Sequence, residues 1–514
     1  MTTWIQEVVD DAAVAEAGAY ACVEVAVSDL HISAGSKLEV VKRKSLFGRL
    51  SGIFSRRRRE KQYELIDNPL EDFRDDDVFA SFVGKIMERY SSVPMVRLLL
   101  LGDIFDPMAV TWKGVLDHQP FEDVAVEKLQ RIIDGHSVFF DALAGFIRQS
   151  NCRIEFYAGN HDICLCWPEV KRLLIARLCG DDAKLAAKVA FVDHESGFRV
   201  RRGPVFYYHG NDAEPHNELP KKPEDMIIRH RIGDLLPLKK PVLNEPFGNY
   251  MAGGLAYRLK LYNEHIGRVR DERDLWIDAA MHRWAWGLHA GVILVWQVIH
   301  NMFFAFWDIR RKTSFAMVFK MLAATMKKNP VDEYGQKILN KQEDIRVVVM
   351  GHSHQPRRIT GPEGTYINIG SWALKRKFVW PKYTHRWKRF RWLETIIRTT
   401  SHFFRTGELR FARQLTKAIG YVALVAVLTV FLMTNFERPP KEMLAFDPNE
   451  LKAYVGILLA FLLLTGVFRF FAVEPQVVPD TKYSFSLVCH TLDGRINAEL
   501  MEYFPKDDSI HEFV

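Results

Sequence analysis

The sequence predicts an α/β protein, a mixed β-sheet flanked by helices, and three observations lead there. Short apolar runs of the length of buried strands recur along the chain. Stretches with helical spacing lie between them, and clusters of Asp, His, Asn and Gly follow directly behind the apolar runs. Layered α/β proteins build their sites in this way, with a rigid apolar strand carrying a polar loop at its end.

Taken in order, Cys22-Val-Glu-Val-Ala-Val-Ser28 reads as a strand that delivers Asp29 and His31. Residues 76–90 have helical spacing, and Arg97-Leu-Leu-Leu-Leu101 is a second strand, delivering Asp103. Residues 123–149 are again helical. Arg153-Ile-Glu-Phe-Tyr-Ala158 leads into Gly159-Asn160-His161-Asp162, and Ile345-Arg-Val-Val-Val-Met350 leads into Gly351-His352-Ser353-His354. Near the C-terminus, Tyr483–Val488, Leu492-Asp-Gly-Arg495 and Ile496–Phe504 read as strand, turn and strand. A strand pair this short needs a sheet to join, and the segment Tyr366–Trp372 is the expected neighbour. No internal repeat of fixed period is present.

The chain has 514 residues, enough for one large domain with appendages or for two ordinary domains. Its six cysteines form no CxxC pair, and Met1–Gly18 is acidic without an apolar signal core, which favours a reducing, cytoplasmic setting. The net charge of +7 is unevenly spread: residues 372–417 hold 13 Lys or Arg against Glu394 and Glu408, so the remainder is acidic on balance. A general binder of nucleic acid would be basic throughout, and none is expected as a partner.

One dense basic block beside an apolar run reads instead as a membrane flank. Ala418–Phe436 is 19 residues without a charge, and Ala453–Val473 is 21 residues with only Arg469. Each is long enough to cross a bilayer core. They are read as a two-helix transmembrane hairpin over 418–473, with the juxtamembrane block 372–417 and both chain ends on the cytoplasmic side. The alternative is a pair of buried core helices. Residues 42–59, with Lys42, Arg43, Lys44, Arg49 and Arg56–Arg59 among apolar residues at helical spacing, read as a basic amphipathic helix or a solvated or disordered loop, with a nucleic-acid patch as a weaker third option. Trp284–Trp307 is apolar but contains His289, Gln297, His300 and Asn301, so it is read as a lid helix or one dipping into the interface rather than a span.

Five clusters share one chemistry: Asp29-Leu30-His31, Gly102-Asp103-Ile104-Phe105-Asp106, Gly159-Asn160-His161-Asp162, His209-Gly210 and Gly351-His352-Ser353-His354. In order and spacing they resemble the calcineurin-like metallophosphoesterases, over residues 20–371 and, on the reading above, a completing strand pair at 481–505. The resemblance implies a layered β-sandwich flanked by helices, holding two divalent metal ions. Manganese is the first expectation; iron, zinc, cobalt and nickel accept the same ligands. It implies that Asp29, His31 and His354 bind one ion, that Asn160, His209 and His352 bind the other, and that Asp103 bridges. His161, uncoordinated, would face the scissile phosphate, with Asp106 as its orienting partner. The reaction implied is hydrolysis of a phosphoester or pyrophosphate by a metal-bridging hydroxide.

Two departures narrow the substrate. Protein Ser/Thr phosphatases of this superfamily carry Arg where Pro107 follows Asp106 here. His209-Gly210-Asn211-Asp212 and Pro356 after the last cluster are similar to UDP-2,3-diacylglucosamine pyrophosphatases, although Asn211 replaces an Asp. The long, largely helical insertion 213–344 would suit acyl chains, so the first expectation is a phosphorylated lipid-linked substrate at the cytoplasmic membrane face. The alternatives are a tethered hydrolase of soluble phosphodiesters or nucleotides, a nuclease, and a non-catalytic scaffold, the last disfavoured because all seven ligand positions are filled. Oligomeric state is not legible. His118, His136, His194, His216 and His282 lack a matching context and are expected to be structural or exposed, and Cys164 and Cys166 to be buried.

Overall fold

The computed structural model describes residues 20–41, 63–113, 121–231, 236–261, 263–269, 329–379 and 476–513. The basic stretch 42–59, the apolar stretch 284–307, most of the basic block 372–417 and both runs of the expected hairpin lie outside these residues. Among the described residues no helix is long and apolar enough to cross a membrane. The chain divides into a large unit (1–275, 285–377, 478–514) and a small one (276–284, 378–477). Apart from the ends of two strands, Arg376–Val379 and Gln476–Pro479, that run into the small unit, everything below concerns the large one.

The strands are β1 (Tyr20–Val27), β2 (Lys37–Val41), β3 (Tyr63–Asp67), β4 (Val96–Leu101), β5 (Cys152–Tyr157), β6 (Val189–Val192), β7 (Arg199–Arg202) and β8 (Val205–Tyr208), followed by β9 (Ile227–Arg231), β10 (Leu236–Leu243), β11 (Val347–Met350), β12 (Arg357–Gly361) and β13 (Gly364–Asn368), then β14 (Arg376–Val379), β15 (Gln476–Pro479), β16 (Tyr483–Thr491), β17 (Ile496–Phe504) and β18 (Ser509–Glu512). Seven of them form one sheet in the order β18-β17-β16-β1-β4-β5-β6, and five a second sheet, β12-β13-β11-β8-β7. β1, β4, β5 and β6 are parallel, and β16 to β18 add antiparallel to them. The fold is thus mixed α/β with both parallel and antiparallel pairing.

Alternation along the strands sorts side chains to two cores. Ala26, Leu99, Leu101 and Tyr157 from the first sheet pack with Val205, Tyr207, Val347, Val349 and Ile367 from the second. Val23, Val25, Val27, Leu98, Leu100 and Ile154 point the other way, toward the helices α1 (Asp76–Arg89), α2 (Glu122–Gly135), α3 (Ser137–Arg148) and α4 (Pro168–Cys179). The helix α5 (Pro330–Lys341) packs on β11 and β13. In α1 the buried Phe79, Phe82, Val83 and Ile86 follow the i, i+3, i+4, i+7 rule. Glu24, fully buried on β1, breaks the apolar pattern because it is paired: Arg97 and Arg202 lie at 3.2 Å, the Tyr207 hydroxyl donates at 2.6 Å and His490 stands at 2.9 Å. Burial opposes its charge, but His490 and Arg202 outweigh that and hold its pKa below the usual range.

The span 123–149 is helical as expected, in two helices that meet at His136, whose ring is held at 3.1 Å from Glu71 and 3.0 Å from Asp76. One expectation needs correcting. The C-terminal strand pair does not pair with Tyr366–Asn368, because both edges of β13 are already taken by β11 and β12. It pairs with β1, Val25 opposite Leu487, and meets the expected segment through side chains instead: the Trp372 indole donates to the Ser484 carbonyl, the Ser484 hydroxyl donates to the Ile369 carbonyl, and Ile367 and Ile369 pack with Val488 and Leu500. The chain leaves at Lys375 and returns beside it, the Asp480 N–H donating to the Lys375 carbonyl at 2.8 Å.

Candidate metal centre

Each of the five clusters follows the end of a strand: Asp29 and His31 follow β1, Asp103 and Asp106 follow β4, Asn160 and His161 follow β5, His209 follows β8, and His352 and His354 follow β11. The turns are knitted together by backbone bonds, with Asp29 N–H on the Gly102 carbonyl at 3.1 Å and His31 N–H on that of Asp103 at 3.0 Å. Asp29, His31, Asp103, His352 and His354 all have φ between 52° and 67°. They are five of the nine non-glycine residues with positive φ among the described residues. Such strain clusters where the surroundings dictate geometry, and here it falls on expected ligand positions.

The glycines beside them are required by space. A Cβ on Gly159 would lie 2.3 Å from Asp103 Oδ1, and one on Gly351 would lie 2.6 Å from Asp29 Oδ2. The buried Asp162, for which the sequence offered no role, clamps the loops. Its carboxylate accepts from the N–H groups of Gly159 (2.6 Å), Asp103 (3.2 Å), Ile104 (2.8 Å) and Phe105 (3.4 Å). Burial and the nearby Asp103 charge push its pKa up to about 6.

Two groups of side chains are close enough to hold a cation: Asp29 with His31 and His354, and Asp103 with His209 and His352. In the first, His354 Nε2 lies 3.2 Å from Asp29 Oδ1 and 3.0 Å from His31 Nε2. In the second, His209 Nε2 faces Asp103 Oδ2 at 3.2 Å while its Nδ1–H donates to the Leu101 carbonyl at 2.9 Å. That outer bond fixes the tautomer and turns a lone pair toward the carboxylate. The arrangement invites a cation or a proton. Without an ion the proton serves: although burial disfavours charge, Asp103 raises His209 to about 10, and His209 in turn holds Asp103 well below its ordinary value.

Two buried atoms at these positions, Asn160 Oδ1 and His352 Nδ1, have no hydrogen-bond partner, while Asp29 Oδ1 and His209 Nε2 face other members of the same two groups. Carboxylate, amide and imidazole lone pairs make a mixed O and N donor set that suits a divalent transition metal. The residues therefore fit such an ion. His354 carries a condition, because its Nδ1 accepts from the Lys375 ammonium at 2.8 Å, which leaves the ring proton on Nε2. Ligation through Nε2 requires that ammonium to turn to its other acceptor, the Gly267 carbonyl at 3.0 Å.

Two residues from the start of the insertion, both missed in the sequence, complete the surroundings. Glu214 accepts from His352 Nε2 at 3.2 Å and from the Asn217 amide at 2.8 Å, so that His352 presents Nδ1. Burial opposes its charge, yet His352 holds its pKa down at about 2. His216, expected to be structural or exposed, stands 3.4 Å from the same carboxylate. Tyr257 donates its hydroxyl to Asp106 Oδ2, and its oxygen lies 3.1 Å from His161 Nδ1. No motif marks either residue; only the fold brings them here.

Comparison with models of known families and with curated proteins returned no match for this chain. The site is therefore read on its own geometry.

His161 and Asp106 also form a group with His31 that could hold a cation. Asp106 is already committed: Oδ1 accepts from Ala109 N–H at 3.3 Å, and Oδ2 takes Tyr257 and faces His161 Nδ1 at 3.3 Å. Burial opposes the charge on His161, but Asp103 and Asp106 raise its pKa to about 9. A ring that holds its proton at neutral pH is suited to donate it. Cys164 and Cys166 are buried, and His136 is a core residue, as expected; His118 and His282 lie outside the described residues.

Proposed function

We propose that this protein is a metal-dependent phosphoesterase of the calcineurin-like type, acting on a phosphoester or pyrophosphate bond. The observation that carries the reading is the convergence, from four separate stretches of chain, of two cation-sized groups, Asp29/His31/His354 and Asp103/His209/His352. Unpartnered buried atoms on Asn160 and His352 support it. Two divalent ions, when bound, would supply an activated water and neutralise charge on the phosphoryl oxygens. Asp29, His31 and His354 would hold one, Asn160, His209 and His352 the other, and Asp103 would be shared.

The rest falls to the chain's own groups. His161 keeps a proton at neutral pH, with Nδ1 turned toward Asp106 and Tyr257, so its Nε2 is the nitrogen available to a phosphoryl or leaving oxygen. Glu214 and the Leu101 carbonyl set the tautomers of His352 and His209. Asp162 holds the loops of Asp103 and Asn160 in register.

The apolar runs 418–436 and 453–473 and the basic block before them support a membrane-anchored enzyme whose site faces the cytoplasm, and the insertion 213–344, with the resemblance of His209-Gly210-Asn211-Asp212 to the UDP-2,3-diacylglucosamine pyrophosphatases, supports a lipid-linked substrate. A screen in detergent with added manganese, comparing bis(p-nitrophenyl) phosphate, cyclic nucleotides and UDP-2,3-diacylglucosamine, tests the reading. Metal-dependent turnover that rises with acyl chains is expected. Turnover of soluble esters alone would make the enzyme a tethered nucleotide or phosphodiester hydrolase, and inertness toward all of them with metal bound would leave a scaffold. For topology, a cysteine at Asn449 in a cysteine-free background is expected to react with an impermeant thiol reagent from outside, and one at Asp493 only after the membrane is opened.

A further inference from the structure

Tyr257 reaches the site from a stretch that the five clusters do not include. It starts the short helix Tyr257–Lys260, directly after a π-helical turn, Ala252–Ala256. Its ring is buried against Leu70, Met108 and Ala109, so the hydroxyl has little freedom. The stretch itself is fixed at both sides. Asn249 donates to the Asn160 carbonyl at 2.6 Å, Lys260 pairs with Asp72, and the fully buried Arg268 reaches Asp72 at 2.8 Å and the carbonyls of Pro69 and Glu71 at 2.8 Å.

Asp106 has two histidines to choose between, with His161 Nδ1 at 3.3 Å and His31 Nδ1 at 3.8 Å from the same oxygen. The Ala109 N–H pins Oδ1. The Tyr257 hydroxyl pins Oδ2 and at the same time lies within hydrogen-bond reach of His161 Nδ1. We propose, resting on the phosphoesterase reading, that Tyr257 is a positioning residue: with Asp106 it holds the Nδ1 edge of His161 so that Nε2 meets the leaving oxygen. The stretch 247–268 is then part of the acid rather than only a cover. In the step it serves, a water-derived oxygen forms the new bond to phosphorus and the leaving oxygen departs with its electron pair. That oxygen takes the Nε2 proton, and the ring regains one from the proton the water released.

The test uses the full chain in detergent with manganese and compares wild type, Tyr257→Phe, His161→Ala and the double variant, each checked for metal content. Two diesters are used, one with a p-nitrophenolate and one with an alkoxide leaving group. Tyr257→Phe is expected to lower kcat roughly tenfold or more on the alkoxide substrate, with little change in KM, and far less on the p-nitrophenyl ester, which needs no acid. Added to His161→Ala, it should cost nothing further. Asp106→Asn should reproduce the same dependence on leaving group. An equal loss on both substrates, or additive losses in the double variant, overturns the proposal. The histidine-ring NMR spectrum gives a readout independent of turnover: the His161 Nδ1–H resonance, assigned by its loss in His161→Ala, must shift or vanish in Tyr257→Phe. An unmoved resonance rejects Tyr257 even if the wild type proves inactive, whereas a moved resonance in an inactive wild type rejects the phosphoesterase reading alone.

Discussion

Replacing Glu214 tests whether His352 is a ligand through Nδ1. In the structure its carboxylate takes the His352 Nε2–H at 3.2 Å and the Asn217 amide at 2.8 Å. Glu214→Ala removes the acceptor that settles the tautomer, so His352 can bring its proton to Nδ1, the atom that must be bare. Losing an outer partner of a ligating histidine costs about 10- to 100-fold in metal affinity, or about 1.4 to 2.7 kcal/mol. A hydrogen bond to a charged group has a similar worth, about 1.5 to 3 kcal/mol. Glu214→Gln keeps an oxygen acceptor without its charge, so a smaller loss of about tenfold is expected. Competition between the protein and a fluorescent chelator for manganese or zinc measures both. Glu218→Ala, four residues away and paired only with Lys221 in the described contacts, serves as the control and should bind as wild type does. Wild-type affinity in Glu214→Ala would refute the orientation argument and with it the assignment of His352 Nδ1.

Asp103→Asn, at the shared position, should lower metal content and activity together; elemental analysis showing full loading alongside full turnover would remove Asp103 from the site. Asp162→Ala leaves four buried N–H donors without their carboxylate and should lower the apparent stability by about 3 to 5 kcal/mol, read as a urea midpoint. An unchanged midpoint would mean that the clamp contributes nothing. His136 gives a pH dependence. Burial opposes its charge, but Asp76 and Glu71 raise its folded pKa to about 9, above an unfolded value of about 6.5. The folded state therefore binds the proton more tightly. Its contribution, on the order of 3 kcal/mol, is whole below pH about 6.5 and is lost as pH rises through about 9. Urea midpoints across that range should fall in wild type and lie flatter in His136→Phe.

Much of the proposed site was legible because its residues sit one or two positions past an apolar run, a local pattern that survives in one dimension. Asp29, Asp103, Asn160 and His352 were singled out in this way, and they stand behind β1, β4, β5 and β11. Residues whose role arises from distance in sequence were not. Glu214 meets His352 across 138 positions and Tyr257 meets Asp106 across 151, and neither stands in a patterned context. The partner of the C-terminal strands was misjudged for a related reason: choosing an edge requires knowing which edges are taken, and β13 is filled by neighbours that a linear reading does not count.

The pairing of β1 with β16 has a bearing on how the molecule is made. Val25 waits for Leu487, roughly 460 residues later, a separation that places this contact among the slowest kinds to form. At roughly 5 to 20 residues per second, a ribosome needs about half a minute or longer to deliver the partner. Until then β1 can join β4 on one side, but its other edge carries unpaired N–H and C=O groups. Asp29 and His31 hang from the end of that half-dressed strand. A nascent or prematurely terminated chain would thus hold every cluster except the support for its first, and would offer an open strand edge to its neighbours.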